Sequence, residues 1–319
     1  MRRWPERFSS DQTHLPVLAD IIIDQLKSCP DGIFIDSTVG AGGHLKAVFQ
    51  AHGNRFKYFG FDLDQEIIGQ TRRSLNELGI EAELIYSNFS NVADFLQGRG
   101  ISIISAILFD LGIGSFQIDD PRRGFSYLKD GPLSLAFDAK NPRQASDILR
   151  KYSEKELTEL FRTYGEEPRA KYLARSIKNY KGRIMTTGQL AEVIRSVTND
   201  RYFVKTAARV FQALRIKVNE ELDHISRGLE SIIPFLAPGG KAMVISYHSL
   251  EDGLVKRIFK KYSGKCVCRS KIPECACGKV KLVHPVFSKP VVPDPEEIAS
   301  NPRARSAKLR IVERIAITS

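Results

Sequence analysis

The chain has no run of about 18 consecutive apolar residues, which excludes a membrane-spanning helix. Its start, Met1-Arg-Arg-Trp-Pro-Glu, is basic but lacks an apolar segment behind it, so no secretory leader is expected and the chain reads as cytosolic. Cysteine is scarce, five in 319 residues, and four of the five stand in one stretch. The fifth, Cys29, reads as a small residue beside a turn. Acidic residues are outnumbered, 37 against 48 Lys and Arg, for a net charge of +11 and a pI near 9.4. One further absence bears on ligand class. The turn Gly40-x-Gly42 lacks the third glycine of a dinucleotide fingerprint, because Leu45 stands in its place. That disfavours a nicotinamide dehydrogenase.

The acid shortfall is local. From Ala139 to Asn219 there are 18 Lys and Arg against 8 Asp and Glu, and from Lys256 to Ile315 there are 15 against 5. The remainder is net acidic. Two concentrated basic segments on an acidic body predict a polyanionic partner, most simply a nucleic acid.

What is present centres on Ile33 to His44, Ile-Phe-Ile-Asp-Ser-Thr-Val-Gly-Ala-Gly-Gly-His. An apolar run closing in Asp36, a glycine turn and then helix formers spell a buried parallel strand feeding a helix N-terminus. Asp36 suits a ligand with an ammonium group, as S-adenosylmethionine has. Asp62 ends the next apolar run, Tyr58-Phe-Gly-Phe-Asp, 20 residues beyond Gly42. That is about where a ribose-gripping acid falls, roughly 20 residues on. Further strands are expected at 82–86, ahead of Phe89, and at 106–111, holding Asp110. Alternating βα units of this kind predict a doubly wound α/β sheet with Asp36, Asp62, Phe89 and Asp110 on its carboxyl rim. Phe89 is placed to stack on a cofactor base.

The pattern then breaks. After a loop-rich stretch, helices are expected at 146–164, 168–180, 187–197 and 204–216, an inserted module that carries the first basic surplus. Arg169, Lys171 and Arg175 are its candidate RNA contacts, and Tyr164, Tyr172 and Tyr180 interleave with them. A helix at 219–236 and a strand at 241–246 bring the chain back to the sheet. Two more strands are expected near 280–292 and 308–315.

Several blocks carry a family likeness: Asp110-Leu-Gly-Ile-Gly-Ser-Phe-Gln117, Arg123-Gly-Phe-Ser, Tyr164-Gly-Glu-Glu, Phe211-Gln-Ala-Leu-Arg-Ile, Ser246-Tyr-His-Ser-Leu-Glu-Asp and Asn301-Pro-Arg-Ala-Arg-Ser. In this order, from His14 to the last strand, the chain resembles the RsmH (MraW) family. The resemblance implies a Rossmann-like class I methyltransferase with an inserted helical domain. The division is then residues 1–118, an inserted substrate-recognition domain at 119–218, and a return at 219–319. It implies S-adenosylmethionine-dependent methylation of a cytidine N4 in the decoding centre of 16S rRNA, on the small ribosomal subunit or a late assembly intermediate. It also implies cofactor contacts from Gly42, Gly43, His44, Asp62, Phe89, Asp110 and Gln117, to which the reading of the loop itself adds Asp36 and Gly40. The chain departs from the family in two places. Ser134-Leu-Ala-Phe-Asp138 stands where Asp-Met-Arg-Met-Asp is usual, and Gly114 replaces a serine. A catalytically impaired RNA-binding relative is therefore the alternative.

The chemistry that the resemblance implies is mostly positioning, since the amine must lie in line with an electrophilic methyl. Asp110 and His248 are the candidates to accept amine hydrogens or the released proton. A flipped-out base would stack on Phe116, Phe125 or Tyr127. Carbon-5 methylation would need a rim cysteine, and none occurs in the loops after the fourth or fifth strand. The pairs Cys266-Val-Cys268 and Cys275-Ala-Cys277 suggest a structural zinc site. Reduced thiols and a reversible disulfide are the alternatives, because one residue separates each pair where zinc knuckles prefer two.

Overall fold

A computed structural model describes residues 16–268 and 275–316, with the backbone alone at residues 115 and 116. His14 and the Phe116 side chain therefore lie outside the described set. The chain forms two compact units. One holds the described residues up to Gly112 and from Ser226 onward, and the other is Ile113–Ile225. The sequence reading set these breaks at 118 and 218.

In the first unit, α1 (Ala19–Leu26) leads to β1 (Gly32–Asp36), α2 (Gly43–His52), β2 (Phe56–Asp62), α3 (Gln65–Glu77), β3 (Ala82–Tyr86), α4 (Val92–Gly98) and β4 (Ile104–Asp110). The strands line up as β3-β2-β1-β4, all parallel. Their near-continuous apolar sequences are what a sheet covered on both faces requires, and Phe34, Phe59, Phe61 and Phe109 are fully buried within it. Asp64 caps α3 by accepting from the amides of Glu66 and Ile67.

The second unit contains α5 (Ser115–Asp119), α6 (Ala145–Lys151), α7 (Glu154–Gly165), α8 (Ala170–Asn179), α9 (Thr187–Val197) and α10 (Asp200–Asn219). The single helix expected at 146–164 is two helices. Ser153 starts the second one with a reciprocal capping box to Glu156, a stronger local signal than the apolar periodicity running across it. Leu157, Phe161, Leu173, Leu190, Val210 and Leu214 make this unit's own core.

The connecting helix α11 (Glu221–Ile232) crosses the boundary between the units. The first unit then resumes with β5 (Leu236–Ser246), α12 (Ser249–Tyr262), β6 (Val283–Pro285), α13 (Pro295–Ser300) and β7 (Lys308–Arg314). β5 pairs parallel with β4, and β7 lies antiparallel between β5 and β6. The complete order is β3-β2-β1-β4-β5-β7-β6. The strand expected across 280–292 shrinks to three residues, since Pro285 and Pro290 remove ladder donors. Among the described residues no helix is long and apolar enough to cross a membrane.

Candidate active site

The strand order reverses between β1 and β4, and ligands of such sheets bind outside the carboxyl ends at that reversal. Asp36 and Asp110 end the two strands that flank it. Asp36 is 1 % exposed. Its Oδ1 accepts weakly from the Thr38 amide at 3.3 Å, while Oδ2 is buried with no hydrogen-bond partner. Burial pushes Asp36 up to about 6; His44 partly offsets this, and Asp110 and Asp62 add to it. A carboxylate oxygen left unmatched in the interior is costly unless a donor or cation comes to it.

The turn after β1 is held from three sides. Ser37 bonds to the Leu108 carbonyl, the Val39 amide to the Phe61 carbonyl, and the Gly40 amide to Asp62 Oδ2 at 2.9 Å. Gly40 and Gly42 have φ of 48° and 79°, left-handed values that glycine adopts without a Cβ clash. Gly43 opens α2 beside Pro16. His44 follows, buried, with Nε2 2.9 Å from the Val17 carbonyl. A carbonyl only accepts, so Nε2 carries the hydrogen and Nδ1 faces Asp110 Oδ2 at 3.8 Å.

Asp62 spends one oxygen on Gly40 and the other on the Asp64 amide at 2.9 Å. It therefore braces the glycine turn, and both oxygens retain lone pairs for a ligand. Burial pushes it up to about 6, against the pull of those two amides. Phe89 sits in a short 3-10 turn after β3, edge-on to Phe109 with centroids 5.7 Å apart, and its ring borders Gly228. Asp110 accepts the Tyr247 hydroxyl on Oδ1 at 2.9 Å, and its amide donates to Thr38 Oγ1 at 2.7 Å. Tyr247 passes close over Gly112, where a Cβ would meet the ring at 2.7 Å. Burial first, and then Asp110, hold the phenol well above its usual range. Tyr247 and Thr38 were missed by sequence reasoning. The available signal was position, each standing just beyond a strand's carboxyl end.

His248, expected as a proton acceptor, is the N-cap of α12. Its Nδ1 accepts from the Glu251 amide at 3.4 Å, and Glu251 returns Oε2 to the amides of Tyr247 and His248. Its Nε2 lies 3.1 Å from Glu251 Oε1. Nδ1 is engaged by the cap, while Nε2 is buried and makes no hydrogen bond.

The remaining candidates lie in the second unit. Gln117 is buried on α5, its Oε1 accepting from the Gly114 amide at 3.1 Å. Phe125 was expected to stack on a base. It is instead 7 % exposed and stacked on Phe137 at 5.5 Å, so its faces are not open to a ligand. Tyr127 packs edge-on to Phe203 and Phe211. The stretch at 134–138 also packs into the unit's core. Leu135 and Ala136 are buried, and Asn219 ties down the Phe137 amide and the Leu135 carbonyl. Of the basic trio, Lys171 and Arg175 are exposed on α8 beside Tyr172, 66 % exposed. Arg175 also lies 3.7 Å from Glu154. Arg169 is half-buried, donates to the Val197 carbonyl and lies over the Tyr202 ring. Tyr164 and Tyr180 pack against the unit's core.

A sheet of this order, parallel but for the antiparallel β7, with a glycine turn and three acids at its carboxyl rim, defines the class of Rossmann-like methyltransferases. The family model of the MraW methylases matches residues 11–315, and the chain belongs to that family. Among its relatives are proteins named ribosomal RNA small subunit methyltransferase H. The protein from Carboxydothermus hydrogenoformans is 39 % identical over 308 residues, 95 % of this chain and 98 % of the relative. The one from Caldicellulosiruptor bescii is 41 % identical over 305 residues, covering 95 % and 99 %. That from Clostridioides difficile is 37 % identical over 307 residues, covering 95 % and 99 %. The chain is an S-adenosylmethionine-dependent methyltransferase, as its family is.

Proposed function

We propose that this enzyme methylates the N4 amine of a cytidine in the decoding centre of 16S rRNA, acting in the cytoplasm on the small subunit or a late assembly intermediate. The observation that carries the cofactor side is the unpartnered, buried Asp36 Oδ2 beside the Gly40–Gly42 turn. These residues fit an S-adenosylmethionine: Asp36 for its ammonium, Asp62 for ribose hydroxyls, the turn for close backbone approach, and Phe89 for the base edge. The bound cofactor supplies an electrophilic sulfonium methyl.

The protein's task is then to make the amine a nucleophile. The cytosine amine is planar because its lone pair is delocalised into the ring. A carboxylate accepting its hydrogens favours the pyramidal form and offsets the positive charge that develops. Asp110 suits this role. Tyr247 fixes Oδ1, so the carboxylate is oriented before substrate arrives, and Oδ2 is left facing His44 across 3.8 Å. Lys171 and Arg175 serve RNA phosphates, which position the target without reading sequence.

Ser134 and the buried Ala136, standing where the resemblance leads to an acid and an arginine, favour a second reading, an RNA-binding relative without turnover. One experiment separates the two. The purified protein is incubated with labelled cofactor and small subunits from cells lacking this modification, and the RNA is digested to nucleosides. Label in N4-methylcytidine is expected. Cofactor and subunit binding without label would select the second reading, and label on another base would overturn both.

A further inference from the structure

The cysteine cluster lies apart from the chemistry just described. After α12 the chain makes a hairpin closed at its base by backbone pairing. Ser263 bridges Lys281, the Gly264 amide donates to the Val280 carbonyl at 2.9 Å, and the Leu282 amide donates to the Tyr262 carbonyl at 2.8 Å. Cys266 and Cys268 leave on one arm, and Cys275 and Cys277 return on the other. Their sulfurs converge: 3.1 Å between Cys275 and Cys277, 3.5 Å between Cys275 and Cys266, and 3.9 Å between Cys268 and Cys275. All four lie within 4.8 Å of one another.

We propose that Cys266, Cys268, Cys275 and Cys277 bind one zinc ion as a tetrathiolate site that locks this hairpin. Four sulfurs at about 2.3 Å from a tetrahedral zinc stand about 3.8 Å apart, near the middle of the observed distances. Burial does not gather them, since two of the thiols are exposed and two half-exposed. No cysteine is in a disulfide, and the separations are well beyond a bonded pair at about 2.0 Å. Lys265, Lys279 and Lys281 flank the cluster in sequence. They offset the double negative charge of a zinc with four thiolates. An all-sulfur tetrahedral set selects zinc or iron over the hard cations. With four protein ligands no coordination position is left for substrate, so the site is structural.

The test uses the full-length protein, purified reduced and without chelator. Elemental analysis is expected to find one zinc per chain. Cobalt(II) exchanged for it should give the sulfur-to-metal charge transfer and visible bands of a tetrahedral tetrathiolate. In the Cys266→Ser/Cys275→Ser variant the metal is lost and proteolysis in the hairpin accelerates, while calorimetric cofactor affinity is unchanged. The proposal is overturned by metal-free protein whose four thiols react freely after incubation with zinc, by disulfides in the intact mass, by iron in place of zinc, or by cobalt spectra without sulfur ligation. Wild-type metal content and spectra decide the matter even if the variant fails to fold.

Discussion

Replacing Asp36 with Asn asks whether the buried acid at the end of β1 is kept for a cation. Burial lifts its pKa from 3.8 to about 6, a penalty of ~3 kcal/mol on the charged form at neutral pH, at 1.36 kcal/mol per unit. The raised folded value means that the native state holds more protons than the unfolded chain between these two pH values. Stability of the free protein therefore falls as pH rises through that window, and the loss is complete above the folded pKa. Asp62, also lifted to about 6, acts with the same sign. Cofactor binding should show the opposite trend, because only the ionised carboxylate accepts a charge-assisted hydrogen bond from an ammonium. Going from pH 7 to pH 5 leaves about one-tenth of Asp36 ionised and should weaken binding roughly tenfold. In Asp36→Asn the affinity should be lower by about 1.5–3 kcal/mol, the worth of a hydrogen bond to a charged group, and Asp36's share of the pH dependence should vanish. Titration calorimetry at pH 5, 6 and 7 and constant ionic strength measures both. Asp62→Asn in parallel separates the two acids, while denaturant melts of the free proteins follow the stability arm. A wild-type affinity that is flat from pH 5 to 7, or a variant that binds as tightly as wild type, would refute the reasoning.

Two further outcomes are expected. His248→Asn keeps a good cap on α12 and should retain folding and turnover, whereas His248→Ala should cost about 0.5–2 kcal/mol in a denaturant melt. A fall in kcat of about 10²–10⁴ in the Asn variant, with its melt intact, would restore His248 as the proton acceptor. Neutralising Lys171 and Arg175 together should weaken RNA binding and flatten the slope of log affinity against log salt by about 1.4 to 1.8, leaving cofactor affinity intact. An unchanged slope would remove this face of α8 from the RNA interface.

The sequence by itself determined the framework. Apolar runs such as Ile33–Ile35 and Ala106–Phe109 leave a buried parallel sheet as the way to satisfy their backbones, and the acids at their ends follow from chain direction alone. The glycine turn and the helical insertion were legible for the same reason, since each is signalled by the residue pattern along its own segment. What only tertiary structure decided is which partner a side chain meets across the chain. Tyr247 reaches Asp110, 137 residues away in sequence, because β4 and β5 pair and Gly112 leaves room for the ring. Phe125 turns from candidate base platform to core because Phe137 stacks on it, and His248 becomes a cap because Glu251 closes the box. An aromatic ring or an imidazole carries no mark of whether its faces and lone pairs will be used inside the fold. That is settled when distant segments compete for them, and local sequence does not encode the competition.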